Sequence, residues 1–280
     1  MKKKVLIIAI ALVLTISALS LAGCDLFFGS NDETQRYFVD IGQIEDSGVA
    51  SVVANNVVGS CVRICADYKT GIKSRSTGFF VTEDGYIITN RHSVVLFTNG
   101  KDLPTHNNTR VDCDLSIITA DGDTYKAELI SFSTTADIAL IKVKPSTVDY
   151  LLGTKTTFSP VTFDTVNLPY YGDTVYTMGN PENLGFIFSK LMVACPAAKL
   201  NESDDFSTIL LDGNINHGNS GGPLIDVNSR VVGIIYARVE GASSDTYGIG
   251  CAITANEITD FLDENKIVYS SYTPPTEEAA

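Results

Sequence analysis

About a dozen short β-prone runs follow one another along this chain, and they constrain its fold more than any other feature. They include CVRICA, TGFFVT, YIITN, IALIKV and VVGIIYA, and turn signals such as Glu83-Asp84-Gly85 separate many of them. No long amphipathic helix lies between the runs, which argues against a doubly wound α/β sheet. The pattern predicts an all-β fold of antiparallel barrels or a sandwich.

Two short helices are predicted at the ends of this strand array. The segment TANEITDFLDENK carries Ile258, Phe261 and Leu262 as an apolar stripe, and Thr254 with Glu257 is predicted to form a capping box. A weaker helix is predicted over residues 49–57. A stretch with fewer strand signals, at about 145–172, divides the array and is predicted to link two barrels.

The first 24 residues have the layout of a secretory signal peptide. Three lysines precede a long apolar run that ends in the small residues of LAGC. LAGC resembles a bacterial lipoprotein box, which implies cleavage before Cys24 and attachment of lipid to that cysteine. An uncleaved anchor helix is the alternative. Both alternatives put the remaining chain outside the cytoplasmic membrane, and the resemblance implies a lipid-anchored protein of the bacterial cell envelope.

The remaining chain divides into a body between two polar ends. We predict a signal peptide (1–23), a tether (24–48), an N-terminal β-barrel (49–150), a C-terminal β-barrel (151–268) and a disordered tail (269–280).

The net charge bears on nucleic-acid binding, and the cysteine spacing bears on zinc binding and disulfides. The chain has 33 acidic and 20 basic residues and a net charge of -13, which argues against a nucleic-acid partner. No cysteine pair has zinc-ligand spacing next to a histidine. Cys61 and Cys65 would lie about 13 Å apart along one strand, too far for a disulfide. Most of the cysteines after Cys24 are predicted to be small buried residues.

The glycine-rich segment INHGNSGGPL contains the candidate nucleophile, Ser220. Its GNSGG core fits both the elbow of α/β-hydrolases and the serine loop of trypsin-fold proteases. The hydrolase elbow requires its histidine after the serine, whereas His92, His106 and His217 all precede Ser220. Chain order and the missing helices therefore favour the trypsin-fold setting.

A serine hydroxyl needs an imidazole base, and the base needs a carboxylate to orient it. His106 lies in the polar stretch THNNTR and is interpreted as exposed. His217 belongs to the same tight loop as Ser220, which leaves its side chain little freedom to reach the hydroxyl. His92 ends a strand-turn-strand unit and is the favoured base. Asp137 is the favoured carboxylate, because it enters an apolar strand where a charge must be paired.

Four motifs in this order resemble the protease domain of the HtrA/Deg-type serine proteases. They are GFFVTEDGYIITNRHSVV, LSIITADGDTYKAELISFSTTADIALIKV, GDTVYTMGNPENLGF and INHGNSGGPLIDVNSRVVGIIYA with YGIGCAI, and the match runs from about residue 50 to 267. The resemblance implies two antiparallel six-stranded β-barrels of the chymotrypsin/trypsin-like type, with a short C-terminal helix. It implies that the active site lies in the cleft between the barrels.

The resemblance also implies the roles of the site residues. It makes Ser220 the nucleophile, His92 the general base and Asp137 the residue that orients the base. The backbone N–H groups of Gly218 and Ser220 would form an oxyanion hole, with Asn219 shaping the turn between them.

The chain departs from the family pattern at several points. His217 stands where proline is usual, which makes the oxyanion loop less preset, and Cys251 stands where phenylalanine is common. No peptide-binding PDZ module is recognised after the last helix, so trimerisation does not follow from the resemblance and the oligomeric state stays open.

Substrate recognition is predicted around the serine loop. The resemblance to the trypsin fold implies that Asn214, six residues before Ser220, lies at the base of the primary specificity pocket, where it offers no acid to pair with Lys or Arg. Ile235, Tyr236 and Ala237 are predicted to pair with a substrate strand. The resemblance implies cleavage of unfolded or exported polypeptides after small or medium aliphatic residues, without metal or cofactor. The alternative is a chaperone-like binding module whose triad is rarely assembled.

Overall fold

The structure is a computed structural model that describes residues 48–102, 108–145, 156–200, 206–238 and 248–275. The predicted signal peptide, the lipid-attachment residue Cys24 and the tether up to residue 47 lie outside the described residues, as does His106. Among the described residues, no helix combines the length and the apolarity needed to cross a membrane.

Six antiparallel strands form a first closed barrel. They are β1 (Cys61–Tyr68), β2 (Lys73–Phe80), β3 (Tyr86–Thr89), β4 (Cys113–Thr119), β5 (Thr124–Phe132) and β6 (Ala139–Val143). Their order is β1-β2-β3-β6-β5-β4, and β1 pairs with β4 to close the barrel. The strands bury alternate side chains inside it, as Val62, Ile64 and Ala66 of β1 illustrate.

The second half of the chain forms a second barrel of six strands with two further short strands attached. The strands are β7 (Thr162–Phe163), β8 (Thr174–Gly179), β9 (Ile187–Ala198), β10 (Thr208–Asp212), β11 (Pro223–Ile225), β12 (Val231–Arg238), β13 (Ile249–Thr254) and β14 (Ser270–Ser271). The order β11-β8-β9-β10-β13-β12 is closed by pairing of β11 with β12, and β7 and β14 extend from β12. The predicted fold of two six-stranded antiparallel barrels is therefore confirmed.

Three α-helices accompany the barrels in the described part of the chain. They are α1 (Val49–Val58), α2 (Arg91–Val94) and α3 (Ala255–Glu264). The helix α3 was predicted with a capping box, but the side chain of its N-cap residue Thr254 makes no capping hydrogen bond. Thr254 is also the last residue of β13 and stays in the ladder opposite Gly233, so the sheet sets its orientation. The capping prediction was wrong, although the helix itself is confirmed.

The start of the predicted disordered tail is ordered. Ser270 and Ser271 form β14 parallel to β7, and the Tyr272 N–H donates to the Phe163 carbonyl at 2.8 Å. The Arg230 guanidinium lies 3.4 Å from the centroid of the Tyr272 ring. A two-residue strand held by backbone bonds and aromatic contacts leaves no periodic pattern, which is why the sequence suggested disorder here.

The described cysteines carry free thiols. Cys61 and Cys251 are fully buried, and burial raises the pKa of their thiols to about 12 and about 11. Such thiols stay protonated near neutral pH, which fits the predicted role of small buried residues. Cys65, Cys113 and Cys195 are only partly buried, so the prediction that most of these cysteines are buried was wrong.

One apolar cluster joins the two barrels. Phe79, Ile88 and Leu140 from the first barrel pack in the same buried cluster as Ile234 and Ile253 from the second. The helix α3 adds further buried side chains to this cluster, namely Ile258, Phe261 and Leu262. Because the cluster is shared, its packing fixes the relative position of the barrels.

We expect Leu140→Ala to lower the free energy of unfolding by about 2–5 kcal/mol, because the truncation opens a cavity in this shared cluster. Ile130→Ala is the control, since Ile130 is 44% exposed and its truncation should cost no more than about 0.5 kcal/mol. Urea denaturation followed by circular dichroism measures both values. Equal losses of stability in the two variants would contradict the claim that the shared cluster stabilises the fold.

Candidate active site

His92 lies on the one-turn helix α2, directly after β3, and is held against Asp137. The His92 N–H donates to Asp137 Oδ1 at 3.0 Å, and His92 Nδ1 lies 2.5 Å from Asp137 Oδ2. The side chain of Asn90, the residue before the helix α2, donates to the Asp137 carbonyl at 2.8 Å. Asp137 ends the turn that leads into β6, so two neighbouring strands of the first barrel position the pair.

The pKa values of the pair follow from this contact. Partial desolvation acts to lower the pKa of His92, but the hydrogen bond and the charge of Asp137 outweigh it and raise that pKa. Desolvation acts to raise the pKa of Asp137, whereas its hydrogen bonds with His92 and the charge of that ring lower it. Asp137 therefore stays ionised at neutral pH and stabilises the charged form of His92.

The loop that carries Ser220 is bonded to both barrels. The Thr77 N–H of β2 donates to the Ser220 carbonyl at 2.9 Å, and the Gly221 N–H donates to the Ile235 carbonyl of β12 at 2.8 Å. Gly221 has φ +84, and a Cβ at this position would collide with the Thr77 carbonyl oxygen. The sequence therefore needs glycine here to bring the serine against the first barrel.

The peptide between His217 and Gly218 has a defined orientation. The His217 carbonyl accepts a hydrogen bond from the Glu182 N–H at 2.8 Å. Because carbonyl and N–H point in opposite directions across a trans peptide, the Gly218 N–H faces away from Glu182. Among the described residues, neither the Gly218 N–H nor the Ser220 N–H donates to a protein acceptor. Both donors are therefore available to an anion.

Two further contacts hold the Gly218 end of the loop. The Thr77 hydroxyl donates to the Gly218 carbonyl at 2.7 Å. Gly218 has φ +96, and a Cβ there would collide with the Asn180 carbonyl. Asn219 is 4% exposed, and its N–H donates to the Asn216 carbonyl at 3.1 Å. Histidine at 217 thus leaves a well-bonded loop.

A cavity of about 280 Å³ lies between the loop and His92. Its lining consists of His92, Ile215, Asn216, His217, Ser220, Tyr236, Ala237 and Arg238. The structure therefore brings together the predicted base and nucleophile, together with two of the four predicted substrate-binding residues. In the part of the chain that the structure describes, no hydrogen bond joins the Ser220 hydroxyl to the His92 ring.

Asn214 and Ile235 do not line this cavity. Asn214 is exposed, because the next side chain, Ile215, turns inward and packs in the core of the second barrel at 5% exposure. Ile235 is fully buried in the same core and contributes only its backbone, whose N–H donates to the Gly222 carbonyl at 2.9 Å. The spacing rule selected Asn214, whereas the side chain that borders the cavity is that of the next residue, Ile215.

Ile215, Asn216 and Arg238 are lining residues that the sequence prediction missed. None of the three residues belongs to a motif of its own. Only their position beside the serine loop or at the end of β12 could have indicated them. His217 also lines the cavity, but no carboxylate among the described residues bonds to its ring. The described ranges also hold no group of three His, Cys, Asp or Glu side chains that could bind a metal ion.

Comparison with known proteins identifies the class. Residues 76–234 match the family model described as "Trypsin-like peptidase domain", which covers more than half of the chain, and the chain belongs to this family. The match includes His92, Asp137 and Ser220.

Individual relatives point to the HtrA type within this class. The chain is 31% identical to a "Probable periplasmic serine endoprotease DegP-like" of Chlamydia trachomatis over 64% of its own length and 31% of that protein. It is 32% identical to a protein of the same name from Bartonella henselae, over 69% of the chain and 34% of the relative. It is 32% identical to "Serine protease HTRA1" of Xenopus laevis, over 72% of the chain and 39% of the relative. The chain thus spans about a third of these relatives, and the names support the predicted HtrA-type family.

We expect Asp137→Asn to lower the pKa of His92, because it removes the charge that opposes desolvation. In the unchanged protein His92 should titrate above its ordinary value of 6.5, and in the variant at a lower pH. Nuclear magnetic resonance titration of the imidazole measures both. Asp173→Asn is the control, since this carboxylate binds the Tyr170 N–H instead. Unchanged titration of His92 in Asp137→Asn would be inconsistent with the described pair.

Proposed function

We propose that the protein is a serine endopeptidase with His92, Asp137 and Ser220 as its catalytic triad. The observation that carries the proposal is the cavity that His92, bonded to Asp137, shares with Ser220. The first two residues come from the first barrel and the third from the second, so the site lies where the barrels meet. The relatives named serine endoproteases support the same reaction class.

In the proposed mechanism, His92 Nε2 accepts the Ser220 hydroxyl proton while Oγ attacks the carbonyl carbon of the scissile peptide. Nδ1–H remains bonded to Asp137, which stabilises the imidazolium. His92 then gives its proton to the leaving amine, and an acyl ester remains on Ser220. A water molecule, deprotonated by His92, hydrolyses this ester and restores the enzyme.

The oxyanion of each tetrahedral intermediate would be bound by the Gly218 and Ser220 N–H groups. The support is the hydrogen bond from the Glu182 N–H to the His217 carbonyl, which turns the Gly218 N–H away from Glu182. A donor fixed before the reaction stabilises the transition state without reorganisation, an effect worth about 10²–10³ in kcat per donor. Asn219 keeps the proposed role of shaping the turn.

The proposed substrates are unfolded or exported polypeptides. Residues Tyr236 and Ala237 lie on the cavity wall at the end of β12, where an extended peptide can add as a strand. Ile215 and Tyr236 give the cavity apolar walls, which fits small or medium aliphatic side chains. We further propose that the protein acts outside the cytoplasmic membrane, anchored by lipid on Cys24, in keeping with relatives named periplasmic.

A chaperone-like binding module is the second candidate function. One observation favours it: the Ser220 hydroxyl and the His92 ring lie in one cavity without a hydrogen bond between them in the described structure. Such contacts are often long without substrate and tighten in the complex, so this geometry also fits the enzyme. Covalent labelling of Ser220 separates the two functions, because it requires an activated hydroxyl.

We expect Ser220→Ala to abolish cleavage of casein and leave the fold intact, because only the nucleophilic oxygen is removed. Residual turnover should be lower than that of the unchanged protein by at least about 10⁴-fold. Ser270→Ala, on the exposed strand β14, is the matched control and should cleave normally. Fragments are measured by mass spectrometry and folding by circular dichroism. Casein cleavage that survives Ser220→Ala would reject Ser220 as the nucleophile.

A further inference from the structure

Arg91 is a buried cation beside the proposed base. It is 7% exposed and lies one residue before His92 on α2. A buried guanidinium destabilises the fold unless its charge is paired and its N–H groups are bonded. The groups that the Arg91 guanidinium contacts therefore indicate its role.

The guanidinium binds the turn that presents Asp137. Arg91 Nη1 donates to the Ser133 carbonyl at 2.8 Å and to the Ala136 carbonyl at 2.7 Å. These acceptors lie at the start of the turn and directly before Asp137. Inside the turn, the Ser133 hydroxyl accepts from the N–H groups of Thr135 at 3.2 Å and Ala136 at 3.1 Å. The internal bonds shape the turn, and Arg91 fastens it to the helix that carries His92.

A second carboxylate completes the arrangement on the other side of Arg91. Arg91 Nε donates to Asp102 Oδ2 at 3.0 Å, and the Asp102 side chain is 29% exposed. Asp102 follows a short loop closed by the Phe97 N–H, which donates to the Lys101 carbonyl at 2.7 Å. Asp102 therefore neutralises Arg91 and connects this loop to the helix of His92.

We propose that Arg91 is a positioning residue that holds Asp137 against His92, and that Asp102 keeps Arg91 in place for this task. The proposal rests on the proposed function for its effect on catalysis. Arg91 does not line the cavity, so it acts through the Asp137 turn rather than on substrate. A loose turn would let the carboxylate drift from Nδ1, and a misplacement of about 1 Å costs about 10²-fold in rate.

The charges around His92 give the proposal a second measurable consequence. Asp137 and Asp102 both raise the pKa of the ring, Asp137 by more, and Arg91 lowers it. Across the cavity the ring also faces His217, Tyr236 and Arg238. Removing the Asp102 charge should therefore lower the pKa of His92. Arg91→Lys keeps the positive charge but loses the hydrogen bonds to the Ser133 and Ala136 carbonyls. Any fall in the pKa of His92 in this variant therefore reports a weakened contact between His92 and Asp137.

The test compares Arg91→Lys and Asp102→Asn with the unchanged protein. We expect Arg91→Lys to lower kcat by about 10²-fold with little change in KM, because the cavity wall is intact. Asp102→Asn should lower kcat less. In both variants the pKa of His92, measured by nuclear magnetic resonance titration, should fall. If Arg91→Lys does not fold, the kcat of Asp102→Asn decides alone, because the pKa of His92 falls in that variant through the lost charge in any case.

Arg230 and Asp164 provide a matched control pair. Their side chains bond at 2.9 Å in the second barrel, where Asp164 is fully buried. Arg230→Lys and Asp164→Asn should lower the unfolding temperature without changing kcat or the pKa of His92. Equal effects from the control pair, or unchanged kcat and pKa in Arg91→Lys, would overturn the inference. If the unchanged protein has no peptidase activity, the proposed function fails, while the pKa measurements still decide whether Arg91 positions Asp137.

Discussion

The junction between the two barrels is the constraint on which the rest of the structure depends. The proposed base and its carboxylate belong to the first barrel, and the proposed nucleophile follows strands of the second. Two backbone hydrogen bonds of the serine loop, from the Thr77 N–H to Ser220 and from the Gly221 N–H to Ile235, tie that loop to both barrels. The shared apolar cluster fixes the position of one barrel relative to the other. The geometry of the site therefore depends on the packing of the core.

Buried polar groups supply precision where apolar packing cannot. Apolar contacts hold elements together but are non-directional, whereas hydrogen bonds fix angles and distances of functional atoms. Asn90, fully buried, binds the Asp137 carbonyl, and Arg91 binds the turn before it. On the opposite wall, Glu182 fixes the peptide before Gly218. Each contact orients a group that the proposed mechanism uses.

Much of the fold was predictable because it rests on local patterns. Runs of β-prone residues such as CVRICA mark strands, and Asp137 stood out because a charge entering a buried strand needs a partner. Other features depend on the assembled structure. Nothing in TNRHSV indicates that Arg91 is buried rather than exposed. The choice between Asn214 and Ile215 at the cavity depends on which side chain turns into the barrel, and β14 exists only because β7 lies beside it.

The central claim is that the His92–Asp137 pair activates Ser220. The most direct measurement is the rate at which a fluorophosphonate labels the protein between pH 5 and pH 9, a range of about two units either side of neutrality, with the labelled residue identified by mass spectrometry. Labelling should occur at Ser220, and its rate should rise with pH through a pKa above 6.5, because the base acts only when His92 is neutral. Absence of labelling at Ser220, or a rate independent of pH, would contradict the claim.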